Sequence, residues 1–314
     1  MLDILAITCP IYLVIALGYG CTRRGMFHPG DLQAFGKFTI NLALPALLFT
    51  NVSERALAEI LNPPYMLAYG AGCGVMALAG LWWGRRVKCA SLSYSSMLAM
   101  GMSCPNSGFV GYPIVLMMLG PVAGVCLALN VMVEVMVVIP LLLAVADHQQ
   151  GASGHWTQSV RKTLGGLIRN PLMLSIAAGA AFTFSGGEMP AFVTRTVHLF
   201  SQATAVLALF VIGGSLVGLR LQGQRSTVSL IALAKLVVHP LVVLALVTWF
   251  VPIADSTMRT AVVLSSAMPM MGIYTILSQR HGHEAISAAA LLVTTVASFF
   301  TVNGLLWVLH GISA

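Results

Sequence analysis

The sequence predicts an all-α integral membrane protein of ten transmembrane helices, built as two inverted repeats of five. Three observations predict it. First, 58% of the 314 residues are hydrophobic and only 8% charged, with a mean hydropathy of +0.91. A soluble domain carries roughly 25% charged residues, so this chain cannot coat a water-facing surface. That excludes a cytosolic enzyme, a secreted disulfide module and a disordered protein. Second, the apolar residues fall into ten segments, and ten spans of about 20 residues would use roughly 200 residues of the chain. Third, the two halves of the sequence echo one another at a nearly constant offset.

The segments follow in order from hydropathy and helix punctuation. Helix 1 covers Ile4–Gly20; Met1-Leu2-Asp3 before it lacks the positive charge of a signal peptide, so the segment is retained as a helix. Helix 2 covers Leu32–Asn51 and helix 3 Tyr65–Trp83. Helix 4, Leu92–Leu119, is interrupted at Cys104-Pro105-Asn106-Ser107-Gly108. Helix 5 covers Val122–Ala146. The polar stretch Asp147–Arg169 follows, and its Trp156–Ile168 portion suits a membrane surface. Helix 6 covers Pro171–Phe184, helix 7 Ala191–Leu219 and helix 8 Val228–Val251. Helix 9, Met258–Gln279, is interrupted at Met268-Pro269-Met270-Met271-Gly272, and helix 10 covers Glu284–Leu309. The organisation is therefore a first repeat at 1–146, a cytoplasmic linker at 147–169 and a second repeat at 170–314.

The repeat is read from four matches in order. Pro10-Ile-Tyr-Leu-Val-Ile-Ala-Leu-Gly18 echoes Pro171-Leu-Met-Leu-Ser-Ile-Ala-Ala-Gly179, and Pro45-Ala-Leu-Leu-Phe49 meets Val206-Leu-Ala-Leu-Phe210. Pro105-Asn-Ser-Gly-Phe109 meets Pro269-Met-Met-Gly-Ile273, and Pro140-Leu-Leu meets Gly304-Leu-Leu. Five helices per half is an odd number, so the second half enters the membrane from the opposite side, the plan of many secondary transporters. Both helix breaks fall in the fourth helix of their half, and paired interruptions of this kind point to a binding site.

Proline lacks an N–H and clashes with the preceding turn; glycine permits unwound angles. An unwound stretch survives in a bilayer only where protein, water or ligand satisfies its backbone groups. The half-helices starting near Asn106 or Ser107 and near Met270 present positive dipole ends, and two such ends converging would suit a carboxylate-sized anion. A plain proline kink is the alternative for either break alone. Candidate substrate-binding residues are Ser103, Pro105, Asn106, Ser107, Gly108, Pro269, Met270, Met271 and Gly272. Ser265, Ser266 and Tyr274 flank the second break, and Met268 adds to an adaptable apolar wall. Asn41, near Pro45, either faces the centre or bonds a neighbouring helix.

Orientation follows from the basic residues. Arg23, Arg24, Arg85, Arg86, Lys88, Arg161, Lys162, Arg169, Arg220, Arg225 and Arg280 fall on one side of ten alternating helices; Arg55, Arg195 and Arg259 fall on the other. Basic residues collect in cytoplasmic loops, so both termini face outward, and the net charge of +7 reflects topology rather than nucleic-acid binding. Trp82, Trp83, Trp249 and Trp307 suit interfacial belts. The cysteines Cys9, Cys21, Cys73, Cys89, Cys104 and Cys126 form no CxxC and read as free thiols. His281-Gly-His283 is a lone HxH and reads as a solvated loop rather than a metal site. No cofactor is implied.

Three ionisable residues lie in apolar segments: Glu134 in helix 5, and Lys235 and His239 four residues apart on one face of helix 8. A central charge costs about 2.5–3.5 kcal/mol on insertion scales, and such residues face the protein interior and find partners. Glu134 with Lys235 is a candidate pair. Three uses stay open: Glu134 or His239 carries a coupling proton, the charges form a structural pair with Lys235 free to snorkel, or Lys235 helps bind an anion.

Leu17-Gly18-Tyr19, Phe35-Gly36-Lys37-Phe38 and Asn41-Leu-Ala-Leu-Pro45-Ala-Leu-Leu-Phe49 resemble the opening of the auxin efflux carrier family, which includes bacterial malonate and malate permeases and the plant PIN carriers. Cys104-Pro105-Asn106-Ser107-Gly108-Phe109-Val-Gly111-Tyr-Pro113 resembles its fourth-helix crossover, Arg169-Asn170-Pro171 the start of its sixth helix and Ala267-Met268-Pro269 its ninth. The resemblance implies a fold related to bile acid/sodium symporters with crossed helices 4 and 9. It implies a scaffold of helices 1, 2, 6 and 7 and a moving unit of helices 3–5 and 8–10 that carries substrate in an elevator-like motion. It gives Asn106 the carboxylate contact, Pro269 the second crossover proline, and the helix 2/helix 7 region a homodimer surface. The chain departs from the pattern at Cys104, where plant members have asparagine, at Val206, where a proline is common, and at Glu134, where a neutral residue is expected.

The expected function is secondary active or potential-driven transport of small organic anions, dicarboxylates such as malonate or malate, across a bacterial inner membrane, with proton or sodium coupling left open. The runner-up is a sodium-coupled symporter of amphipathic anions. A GxxxxGK[ST] phosphate loop is missing from the sequence, which argues against direct ATP drive. Cys104 with His239 is the only pairing that suits a membrane enzyme, and the chain is read as no enzyme.

Overall fold

The computed structural model describes residues 2–55, 62–147, 169–187, 189–219 and 225–313. The described residues are helical, apart from connecting turns and one strand-like pairing of Pro105 with Met270. In chain order the helices are α1 (Leu2–Arg23), α2 (Pro29–Ser53), α3 (Pro63–Val87), α4a (Leu92–Ser103), α4b (Ser107–Leu119) and α5 (Val122–Asp147). They continue with α6 (Pro171–Ser185), α7 (Ala191–Ser215), α8 (Arg225–Phe250), α9a (Ser256–Ser266), α9b (Ile273–Arg280) and α10 (Glu284–Ser313). Six of them, α2, α3, α5, α7, α8 and α10, are long and apolar enough to cross a bilayer.

Helix starts follow local chemistry. Asn170 accepts from the Leu172 amide at 2.9 Å with Pro171 at the first helical position, so α6 begins one residue after its cap. Ser91 accepts from the Tyr94 amide at 3.1 Å and Asp255 from the Thr257 amide at 2.7 Å, starting α4a and α9a. Hydropathy alone carries helix 7 to Leu219, but α7 stops at Ser215, ahead of Gly218 at φ 82°. The surface segment expected at Trp156–Ile168 lies outside the described residues.

The chain divides into two compact units. The first comprises 1–63, 107–131 and 166–218, and so holds α1, α2, α4b, the start of α5, α6 and α7. Its axis is the contact of α1 with α7, where helices meet backbone to backbone. A Cβ on Gly213 would lie 1.9 Å from the Ile15 carbonyl oxygen, and one on Gly18 would lie 2.2 Å from that of Phe210. This is the small-residue approach that membrane helices use when no hydrophobic drive separates protein from lipid. Phe27, Phe35 and Phe210 close edge-on over one end of it.

The second unit comprises 64–106, 132–165 and 219–314. Its centre is α4a and α9a. Ser95–Ser103 of α4a are buried without interruption, as are Ala261–Ser266 of α9a. Such all-round burial identifies interior helices. The rest of α5 packs against α4a, and α8 packs against α9a and α10. Trp82, Trp249 and Trp307 are exposed, as interfacial residues would be.

Candidate functional site

The site grows out of two prolines in the second unit. Cys104 precedes Pro105 and is extended at φ −101°, ψ 104°, the conformation a following proline favours. α4a therefore ends at Ser103. α9a ends at Ser266, three residues before Pro269. The two interruptions meet. The Asn106 amide donates to the Pro269 carbonyl at 2.8 Å, and the Met271 amide donates to the Cys104 carbonyl at 3.2 Å. Together they make one antiparallel rung between the breaks. Each break thus supplies the other's missing backbone partner in the unit's interior, which is how unwound backbone is tolerated away from water.

Ser103, Pro105, Asn106, Pro269 and Met270 are buried at this crossing, and Met271 and Gly272 are half-buried. Ser107 and Gly108 belong to the first unit, where they open α4b. One correction concerns the amides. The expectation was that the N–H groups at both breaks face an anion, but those of Asn106 and Met271 are engaged in the rung. Ser103 donates to the Ala99 carbonyl at 2.8 Å, within its own helix. Asn41 is also corrected: it is exposed and donates to the Lys37 carbonyl one turn back, rather than facing the centre or a neighbouring helix.

Beside the crossing the second unit buries a polar cluster. Lys235 is wholly buried, so it does not snorkel. Its Nζ donates to the Ser266 carbonyl at 2.7 Å and lies 2.9 Å from Nδ1 of His239. His239 Nε2 lies 3.8 Å from Cys73 Sγ. The Tyr69 hydroxyl donates to Glu134 Oε1 at 2.5 Å, and Tyr65 Oη lies 3.4 Å from Ser265 Oγ. Glu134 and Lys235 sit within electrostatic reach of one another. Both occupy widened π-type turns, at Glu134–Val138 and Ala234–Val238, a feature frequent at functional sites. Wide turns also occur at Trp83–Val87 and Leu246–Phe250, so the turn alone does not mark the site.

Sequence reading found Glu134, Lys235 and His239 but missed their partners on α3. Tyr65, Tyr69 and Cys73 are spaced by four, which stacks them on one helical face. That spacing is the signal that was available. The same face carries Gly72, whose added Cβ would lie 2.4 Å from Val243 Cγ2 and 3.7 Å from His239 Nε2. Only a residue without a side chain lets α8 come close enough to bring His239 to Cys73.

The His281-Gly-His283 motif is a turn, with Gly282 at φ 77°. His281 Nε2 lies 3.1 Å from Asp147 Oδ1, and His283 stands edge-on to Tyr94 at 5.2 Å. Burial, and then the neighbouring His281, hold the His283 pKa below its usual 6.5.

A chain whose described residues are helical, with bilayer-length apolar helices and two interrupted helices that pair backbone to backbone in a buried core, has the construction of a membrane transporter. Comparison with known proteins bears this out. The chain belongs to the family described as "Membrane transport protein", that of the auxin efflux carriers, whose profile matches residues 4–306. It is 30% identical to the protein named "Putative malonate transporter" of Rhizobium meliloti (strain 1021), over 99% of this chain and 97% of that one. It is 22% identical to "Uncharacterized transporter YfdV" of Escherichia coli (strain K12), over 95% of each chain. It is 29% identical to "Auxin efflux carrier component 2" of Arabidopsis thaliana, over 44% of this chain and 20% of that one.

Proposed function

We propose that the chain is a secondary active or potential-driven carrier of small organic anions, dicarboxylates such as malonate or malate, that binds a substrate carboxylate at the crossing of α4 and α9. The observation that carries this reading is the rung between Asn106 and Pro269 and between Met271 and Cys104. It joins the buried Asn106 to the half-buried break that opens α9b, in the unit where Lys235 reaches the end of α9a. First-turn amides of a helix have no intrahelical acceptor and favour negative charge. The Asn106 and Met271 amides are engaged in the rung, and those of Tyr274 and Thr275 donate to the Met271 and Gly272 carbonyls, so recognition of the anion falls to the Asn106 carboxamide and the positive dipole end of α9b. The name of the Rhizobium relative supports malonate as the substrate to try first.

The reading includes an elevator-type alternation, two inverted five-helix repeats, a bacterial inner-membrane location with both termini outside, and a homodimer through the α2/α7 region. The grouping of α1, α2, α6 and α7 in one compact unit and of α3, α4a, the rest of α5, α8, α9 and α10 in the other supports a division into scaffold and carrier, with the difference that α4b and the start of α5 group with the scaffold helices rather than with a moving unit of helices 3–5. Reconstituted protein in liposomes should accumulate labelled dicarboxylate and discriminate against monocarboxylates and bile acids. Transport confined to amphipathic anions under a sodium gradient would replace this reading with a sodium symporter.

A further inference from the structure

The turn between α9b and α10 holds one imidazole between two acceptors. α9b ends at Arg280 and His281 opens the turn. The Ser278 carbonyl accepts from the His281 amide at 3.0 Å and from the His283 amide at 2.9 Å, and the Gln279 carbonyl accepts from the Gly282 amide at 3.1 Å. The carbonyl one residue earlier, Leu277, is met by the ring of His281, whose Nδ1 lies 2.9 Å away. The other ring nitrogen, Nε2, lies 3.1 Å from Asp147 Oδ1 at the end of α5. A carbonyl and an ionised carboxylate only accept, so both bonds need a hydrogen on each nitrogen, and imidazolium alone has both.

We propose that His281 is a proton-dependent clasp: as imidazolium it ties the end of α9b to the end of α5, and on losing a proton it releases Asp147 and frees α9b. Its effect on carriage rests on the reading of the chain as an anion carrier, whereas the clasp itself does not.

The exposure of the two partners decides which bond opens. The His281 side chain is only 6% exposed, so a neutral ring keeps its one hydrogen on the Leu277 carbonyl, where water cannot replace it. Nε2 would then turn a lone pair on the carboxylate. Asp147 is 56% exposed and can swing into water instead. The charged form also suits its place, because the carbonyl end of a helix favours a cation. The groups around the turn agree with one charge there. Asp147 faces His281 from α5, Tyr94 of α4a stands edge-on to His283, and Arg280 and the exposed Glu284 flank the turn in sequence. His283 is held toward its neutral form by burial and then by His281. The clasp stands at the far end of α9b from the crossing. Eight helical residues span roughly 12 Å. Met271, two residues before α9b, is fixed by the rung, so release of the clasp leaves the half-helix held at one end only.

The test follows backbone hydrogen exchange of α9b in the full-length protein in detergent, corrected for intrinsic rates, at about pH 5.5 and about pH 8.5, on either side of the ordinary imidazole value near 6.5. Wild-type α9b should exchange about threefold faster or more at the higher pH, the scale of a part-exposed ion pair. Asp147→Asn replaces the carboxylate by a group that can offer an N–H to neutral Nε2 and an oxygen to imidazolium. Its α9b should stay protected at both pH values. His281→Ala loses both bonds and should exchange fast at both; if it does not fold, wild type against Asp147→Asn decides alone. In liposomes with equal pH on the two faces, the ratio of wild-type to Asp147→Asn dicarboxylate flux should rise about threefold from the lower pH to the higher. Wild-type exchange that ignores pH, or exchange that follows pH equally in Asp147→Asn, would overturn the clasp. A flux ratio that ignores pH would overturn its role in carriage. Failure of the wild type to carry any dicarboxylate would refute the anion reading alone, because the exchange measurement needs no substrate.

Discussion

Gly72→Ala tests the packing that assembles the buried cluster. The new Cβ would stand 2.4 Å from Val243 Cγ2, while carbon atoms rest at about 3.5–4.0 Å. Valine in a helix is held to one rotamer, so the clash is relieved by separating α3 from α8 by about 1 Å. Cys73 and His239 start at 3.8 Å, and such a shift takes them out of contact. Overpacking of this kind costs about 1–3 kcal/mol, and the gain in helix propensity from Gly to Ala returns up to about 1 kcal/mol. The net expectation is destabilisation by about 1–2 kcal/mol. Val243→Ala removes the clashing methyl groups, so the double variant should be more stable than the sum of the single changes, with a coupling of about 1–3 kcal/mol. Reversible unfolding in mixed micelles reads all four corners of the cycle. A Gly72→Ala protein as stable as the wild type, or additive single changes, would refute the close approach of α3 and α8.

Tyr69→Phe removes the phenol that donates to Glu134, and should destabilise the protein by about 1.5–3 kcal/mol, the range for a bond to a charged group; the same unfolding assay checks it. Gly213→Val drives a side chain into the Ile15 carbonyl, a backbone atom that cannot swing aside, so the first unit should lose its α1/α7 contact and the protein its monodisperse elution in detergent. His283 has a folded pKa below its unfolded value, so its contribution to stability is complete above pH 6.5 and is lost as pH falls through the lower folded value. Thermal unfolding between pH 7.5 and 5 should therefore fall less steeply for His283→Gln than for the wild type.

Much of this architecture was legible from residue order. Asn170-Pro171 and Asp255 mark helix starts by cap chemistry, and Pro105 and Pro269 mark the interruptions because proline removes a donor wherever it stands. Burial of Glu134, Lys235 and His239 followed from their apolar surroundings. The partners did not follow. Which residue meets Glu134 depends on how α3 is rotated about its axis, and hydropathy is nearly uniform around that helix. Tyr69 and Cys73 therefore looked no different from lipid-facing neighbours. The rung between the breaks was also hidden: dipole reasoning leaves the Asn106 and Met271 amides open to a ligand, whereas each finds a carbonyl on the other strand. Asn41 read as a bridging residue because its type suits one, but its own helix offered a carbonyl at 2.8 Å.

The central claim, that the crossing holds the substrate carboxylate, is tested most directly by equilibrium binding of radiolabelled malonate and other dicarboxylates to purified protein. Wild type and Asn106→Ala should be compared at matched folded fraction. Saturable binding to the wild type is expected, with a loss of at least about tenfold in affinity for the variant and the unfolding temperature little changed. Equal affinity in the two proteins would contradict it.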